Sequence, residues 1–134
     1  MSHSLGTAGE HLVCFESFLY GYKATMVESF AQYDVLLFDK DDHYKLQVKT
    51  SARTRTNGQS YKYCIKTSKM NKTKKRGGYK KRNVDIFAMV HPEFRKIAYI
   101  PYNQVRTKWE ITLTKEDFDN LTLKSALFFL QNNL

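Results

Sequence analysis

The apolar positions of this 134-residue chain change period several times along its length. Leu5, Ala8, Leu12, Phe15 and Leu19 recur at intervals of three and four, which predicts a helix over Gly6 to Tyr20 with these residues on its inner face. Gly21 supplies a natural stop. Tyr22 to Glu28 alternates apolar and polar residues, as a half-wetted strand does. Tyr33 to Phe38 is a more continuous apolar run, the pattern of a strand buried within a sheet. Asp39, Lys40, Asp41 and Asp42 then make a turn, and Tyr44 to Lys49 alternates again as its partner strand. Turn chemistry explains that acidic turn without a metal.

Ser51 to Ser60 reads as a polar loop, tightest at Asn57-Gly58, and Tyr61 to Lys66 returns as a strand. Lys69 to Arg82 is a polar excursion pivoting on Gly77-Gly78. Val84 to Val90 predicts a buried strand, and Lys96 to Ile100 its neighbour across His91-Pro92-Glu93, ended by Pro101. Trp109 to Leu113 suits a short edge strand. Thr114 with Asp117 marks a helix start, and Leu121 to Leu134 a terminal helix. An early helix, a run of strands and a late helix predict an α/β (α+β) layered domain, with a four- or five-stranded mixed sheet. The length suits one domain over residues 1–134, without linker or internal repeat.

Composition narrows the class. With 42% hydrophobic residues the chain can bury one core. No stretch is long and apolar enough to cross a membrane, and the first residues lack a signal-peptide core, so the expectation is a cytoplasmic protein with no membrane partner. Cys14 and Cys64 lack C-x-x-C spacing and read as small core hydrophobes of a reducing compartment. His3, His11, His43 and His91 form no i, i+4 pair, and no zinc site is expected.

Charge changes the picture more. The formal net charge is +9, yet His43 to Val84 contains no acid and 14 basic residues, so the rest of the chain sums to −5. Eight of those bases, Lys69, Lys72, Lys74, Lys75, Arg76, Lys80, Lys81 and Arg82, fall in one stretch. Basicity concentrated in this way implies a polyanion partner, nucleic acid ahead of an anionic membrane surface.

The candidate chemistry lies just before this stretch. Asp34 opens one strand, and Gln47 and Lys49 close the next, in Y-D-V-L-L-F followed by L-Q-V-K-T. Residues two apart share a strand face, so Gln47 and Lys49 point the same way, and Asp34 can converge with them on a divalent cation. A cation to polarise phosphate beside an amine to steady water or developing charge is equipment for phosphodiester hydrolysis. On pattern alone Glu10 lies off the predicted apolar stripe and is equally well a surface acid.

The strings G-T-A-G-E (Gly6 to Glu10), L-Y-G-Y-K-A (Leu19 to Ala24), Y-D-V-L-L-F (Tyr33 to Phe38) and L-Q-V-K-T (Leu46 to Thr50) together resemble the PD-(D/E)XK nuclease superfamily. Within it the chain is most similar to the intron-associated homing endonucleases of cyanobacteria and their phages, and to archaeal-type Holliday junction resolvases. R-N-V-D-I-F-A-M-V (Arg82 to Val90) also resembles the strand that follows the basic loop in the homing group. The likeness covers about the first hundred residues.

The resemblance implies a restriction-endonuclease-like fold and a magnesium-dependent DNA endonuclease, with manganese as a possible substitute, working in a bacterial or phage-infected cell. Asp34 matches the metal-binding aspartate, Lys49 the motif lysine, and Glu10 the helical acid that completes the metal shell. Gln47 stands where most members carry an acid, although the homing group shares Q-x-K; Tyr33 replaces the usual proline. Glutamine still offers a hard carbonyl oxygen, but with two carboxylates instead of three the cation is held more weakly. Arg53, Arg55 and the Lys69 to Arg82 loop are expected to hold phosphates and read bases. Sequence-specific homing is the leading reading, junction resolution the alternative, and a non-catalytic DNA-binding protein a further one. Two or four copies would let one small chain cut two strands, and the terminal helix, apolar on several faces through Leu121, Leu123, Ala126, Leu127, Phe128, Phe129, Leu130 and Leu134, is the expected interface unless it is wedged into its own core.

Overall fold

A tight hairpin organises the sheet. Strand β2 (Val35–Asp39) runs into β3 (Asp42–Thr50) through Lys40 and Asp41, with Lys40 at φ 59 and Asp39 facing Asp42 across the turn. The computed structural model describes residues 3–27, 31–51, 60–65 and 83–132. Before the hairpin come α1 (His3–Leu19) and β1 (Lys23–Met26). After it come β4 (Ser60–Cys64), β5 (Ile86–His91), β6 (Lys96–Pro101), α2 (Tyr102–Val105), β7 (Glu110–Thr114), α3 (Lys115–Asn120) and α4 (Leu123–Asn132).

The main sheet has the order β1-β2-β3-β5-β6. Only the β3–β5 junction is parallel, with Leu46 opposite Ile86 and Thr50 opposite Val90; the other neighbours are antiparallel. Every residue of β5 is buried, as its continuous I-F-A-M-V-H run requires of a central strand. Strand β7 pairs with β4 in a separate two-stranded sheet. This is the α+β, restriction-endonuclease-like arrangement of a small mixed sheet flanked by helices.

Side-chain alternation splits the core in two. Val35, Leu37, Leu46, Val48, Ile86, Ala88 and Val90 point to one face, under α1 and α4. Phe87 and Met89 point to the other, where Tyr61, Tyr63, Leu113 and Phe118 cover them. Gln47 and Lys49 lie between the inward residues of β3 and so belong to this second face.

Helix α1 corrects the expected inner face. Gly9, Val13 and Ser17, four residues apart, are the buried line, whereas Ala8, Phe15 and Leu19 are exposed, the last two at 61% and 67%. The reason is close approach: a Cβ on Gly9 would collide with Thr50 Oγ1 and lie 3.1 Å from Thr50 Cβ. A helix lying this low on the sheet presents small residues inward and turns its aromatics out. Ser17 returns its buried hydroxyl to Val13 O at 2.7 Å. Gly21, at φ 89, ends the helix as expected, with Gly21 N–H donating to Phe18 O and Tyr22 N–H to Ser17 O.

One further correction concerns the cysteines. Cys64 is exposed at the end of β4 and Cys14 is half-buried, so neither is a fully buried core residue. The terminal helix buries Leu123, Ala126 and Leu127 in its own subunit, with Leu130 packed against the same core, leaving Phe128 67% exposed. The helix start expected at Thr114 and Asp117 is that of α3, and the two residues form a capping box there. Among the described residues no helix is long and apolar enough to cross a membrane.

Candidate active site

Asp34 stands at the entry to β2 with three anchors. Its N–H donates to Leu46 O at 2.8 Å, its C=O accepts from Val27 N–H at 3.0 Å, and its Oδ2 accepts the Val48 N–H at 2.9 Å. Extending the β2–β3 register by one residue from Val35 and Leu46 sets Asp34 across from Gln47. The hairpin therefore brings Asp34, Gln47 and Lys49 to one end of one sheet face.

Helix α1 reaches the same end from the other side of the sheet. Gly9 rests on Thr50, the residue after Lys49, and this contact sets the depth at which Glu10 stands. Burial, and then the negative charge of Asp34, hold the Glu10 carboxyl above its ordinary range against a smaller pull from His11. Burial likewise raises the Asp34 carboxyl, opposed by the Val48 N–H and then by the Lys49 ammonium. Three groups from two distant segments thus influence one another electrostatically: two carboxylates, Glu10 and Asp34, and the Lys49 ammonium beside Asp34.

The donors suit a hard divalent cation. Two carboxylates and an amide carbonyl are the oxygen ligands such a cation takes, and their mutual repulsion is relieved by positive charge between them. Among the described residues no three His, Cys, Asp or Glu side chains group so as to hold a metal ion. Arg53, Arg55, Lys69, Lys72, Lys74, Lys75, Arg76, Lys80, Lys81 and Arg82 all lie outside the described residues.

Two supporting residues escaped the sequence reading. Gly9 could have been noticed as a glycine inside a helical pattern, where it costs helix stability unless something packs against it. Asp85 left no such signal. Its Oδ2 accepts Lys45 N–H at 2.8 Å while its own N–H donates to Lys45 O at 2.8 Å, tying β3 to the start of β5. It braces β3 from the side opposite the brace at Asp34.

A mixed sheet with an acid entering one strand and Q-x-K leaving the next defines a nuclease-like architecture. The chain belongs to the PD-(D/E)XK endonuclease family, whose profile matches residues 5–128. Among solved structures it is similar to a bacterial homing endonuclease, I-Ssp6803I, with a TM-score of 0.81 and 16% identity over 97% of this chain and 94% of that one. It is also similar to Hjc, a Holliday junction resolvase of the archaeal hyperthermophile Archaeoglobus fulgidus, with a TM-score of 0.54 and 13% identity over 90% of this chain and 94% of the other. No protein with a curated description matches.

Proposed function

We propose that the protein is a divalent-metal-dependent, site-specific endonuclease of double-stranded DNA. The observation that carries this is that Asp34, set across from Gln47 by the strand register, feels the Lys49 charge and is felt by Glu10, although 23 intervening residues on one side and 14 on the other keep them apart in the chain. Glu10, Asp34 and the Gln47 carbonyl would hold the cation, magnesium or manganese. When bound, it would polarise the scissile phosphate and make an attacking water available at neutral pH. Lys49 orients that water and neutralises charge that builds on the phosphorus oxygens. Arg53, Arg55 and the bases of Lys69 to Arg82 hold the DNA backbone and read base edges.

Homing is favoured over junction resolution by the Q-x-K resemblance in the sequence and by the fold's fuller match to the homing endonuclease. We take the working unit to be a homodimer or homotetramer, since each active site cuts one strand. The test offers purified protein and magnesium a library of linear duplexes beside a synthetic four-way junction. Discrete cuts in few duplexes are expected. Symmetric junction cuts without sequence preference would reassign the substrate, and DNA binding without any metal-dependent cut would make the protein a non-catalytic binder.

A further inference from the structure

The end of β3 that carries Lys49 is tied down by a side chain from the other sheet. The β3–β5 register ends at Thr50 and Val90, and beyond it Ser51 N–H still reaches Val90 O at 3.1 Å. Tyr63, on β4, brings its hydroxyl to the same place, 2.8 Å from Val90 O and 3.0 Å from Ser51 O. A phenol has one proton, so one donor is shared by two carbonyl oxygens of neighbouring strands. The ring is 1% exposed and sits in the cluster that covers the Gln47 and Lys49 face, tilted towards Phe118 with centroids 6.4 Å apart. Burial, and then Tyr61, push the hydroxyl well above the usual tyrosine range, so it remains a neutral donor.

We infer that Tyr63 is a positioning residue of the nuclease, its shared hydrogen bond locking the end of β3 onto β5 and so fixing where Lys49 stands relative to Asp34. This rests on the nuclease reading above. Lys49 is two residues from Ser51, on the face from which Tyr63 approaches, so slack at Ser51 passes directly to the lysine. In the chain β4 also lies between Arg55 and Lys69, joining the two basic stretches assigned to DNA. A displacement of about 1 Å in a catalytic group can cost roughly 10²-fold in rate.

The decisive comparison is wild type against Tyr63→Phe, which deletes one oxygen and keeps the ring. In the full-length folded variant the single-turnover cleavage rate with magnesium should fall about 10- to 100-fold. Metal-free DNA affinity should stay within about twofold, and the pH–rate profile should keep its shape. Hydrogen exchange at the Ser51 amide should accelerate while the β1–β2 ladder is unchanged. An unaltered cleavage rate in a cleaving system overturns the role of Tyr63 and leaves the nuclease reading standing. A rate loss matched by an equal loss of DNA affinity overturns it too, as a general structural defect. Wild type that cuts nothing in magnesium or manganese overturns both. One reading needs no variant: a wild-type Ser51 amide that exchanges as fast as the Lys40–Asp41 turn means there is no lock.

Discussion

At the scale of single residues, Asp34 and Lys49 are held in ways that separate chemistry from folding. Lys49 is a half-buried residue with no part in either core cluster, and Asp34 spends one oxygen on the Val48 N–H, an acceptor role an asparagine carbonyl can keep. Asp34→Asn and Lys49→Ala should each reduce cleavage by about 10²–10³-fold or more, with DNA affinity measured by anisotropy nearly unchanged. Turnover at the wild-type rate would remove the residue from the site. Glu10 carries a pH signature. Its folded-state carboxyl is raised above the ordinary value of 4.5, so the folded protein holds this proton more tightly than the unfolded chain does. Its stabilising contribution is therefore complete below the unfolded glutamate range and is lost as pH rises through the folded value. At neutral pH without metal, Glu10→Gln should melt above wild type, and the gap should close below about pH 4. Added magnesium should raise the melting temperature of wild type more than that of the variant, because only wild type offers both carboxylates.

At the scale of elements, the seat of α1 on β3 governs the site. Alanine at an internal helix position is ordinarily favoured over glycine by about 0.8–1 kcal/mol. At Gly9 the added methyl meets Thr50 instead. Gly9→Ala should therefore destabilise the protein by about 1–3 kcal/mol in urea titration, reversing the propensity gain. It should also slow cleavage, by lifting Glu10 away from Asp34. Thr50→Ala in the same chain removes the nearest obstructing atom, a buried oxygen without a hydrogen-bond partner, and should restore part of both losses. A stabilised Gly9→Ala protein would mean that α1 does not rest on Thr50. The strands themselves were legible, because alternation, the Asp-rich turn and the continuous apolar run Ile86 to Val90 of β5 are local patterns. The buried face of α1 was not, since apolar spacing nominated Ala8, Phe15 and Leu19, while close packing selected Gly9, Val13 and Ser17.

At the scale of the whole molecule, charge and assembly set the predictions. Neutralising Lys74, Lys75 and Arg76 together should flatten the slope of log affinity against log salt by up to about 2.7, at roughly 0.9 per phosphate contact. An unchanged slope would place this stretch away from DNA. The apolar surface left exposed includes Phe15, Phe18, Leu19 and Tyr20 of α1 and its following turn, and Phe128 of α4. Sedimentation at micromolar concentration should show a dimer or tetramer, and Phe128→Asp, at an exposed position, should tell whether α4 joins the copies without perturbing the melting temperature. A monomer at that concentration would leave each copy to act alone.

The amino-acid sequence by itself determined the hairpin that sets Asp34 across from Gln47, two residues before Lys49, because turn residues and period-two alternation are written within a few positions of one another. It also determined the concentration of positive charge after that hairpin and, through the order of its motifs, the family. Only the tertiary structure decided that Glu10 comes within electrostatic reach of Asp34, that β3 runs parallel to β5 under the brace of Asp85, and that Tyr63 reaches across from a second sheet. Those relations join residues tens of positions apart. What decides them is the shape of the packed core, where a glycine lets a helix descend and a buried hydroxyl must find carbonyls, and no local periodicity encodes either.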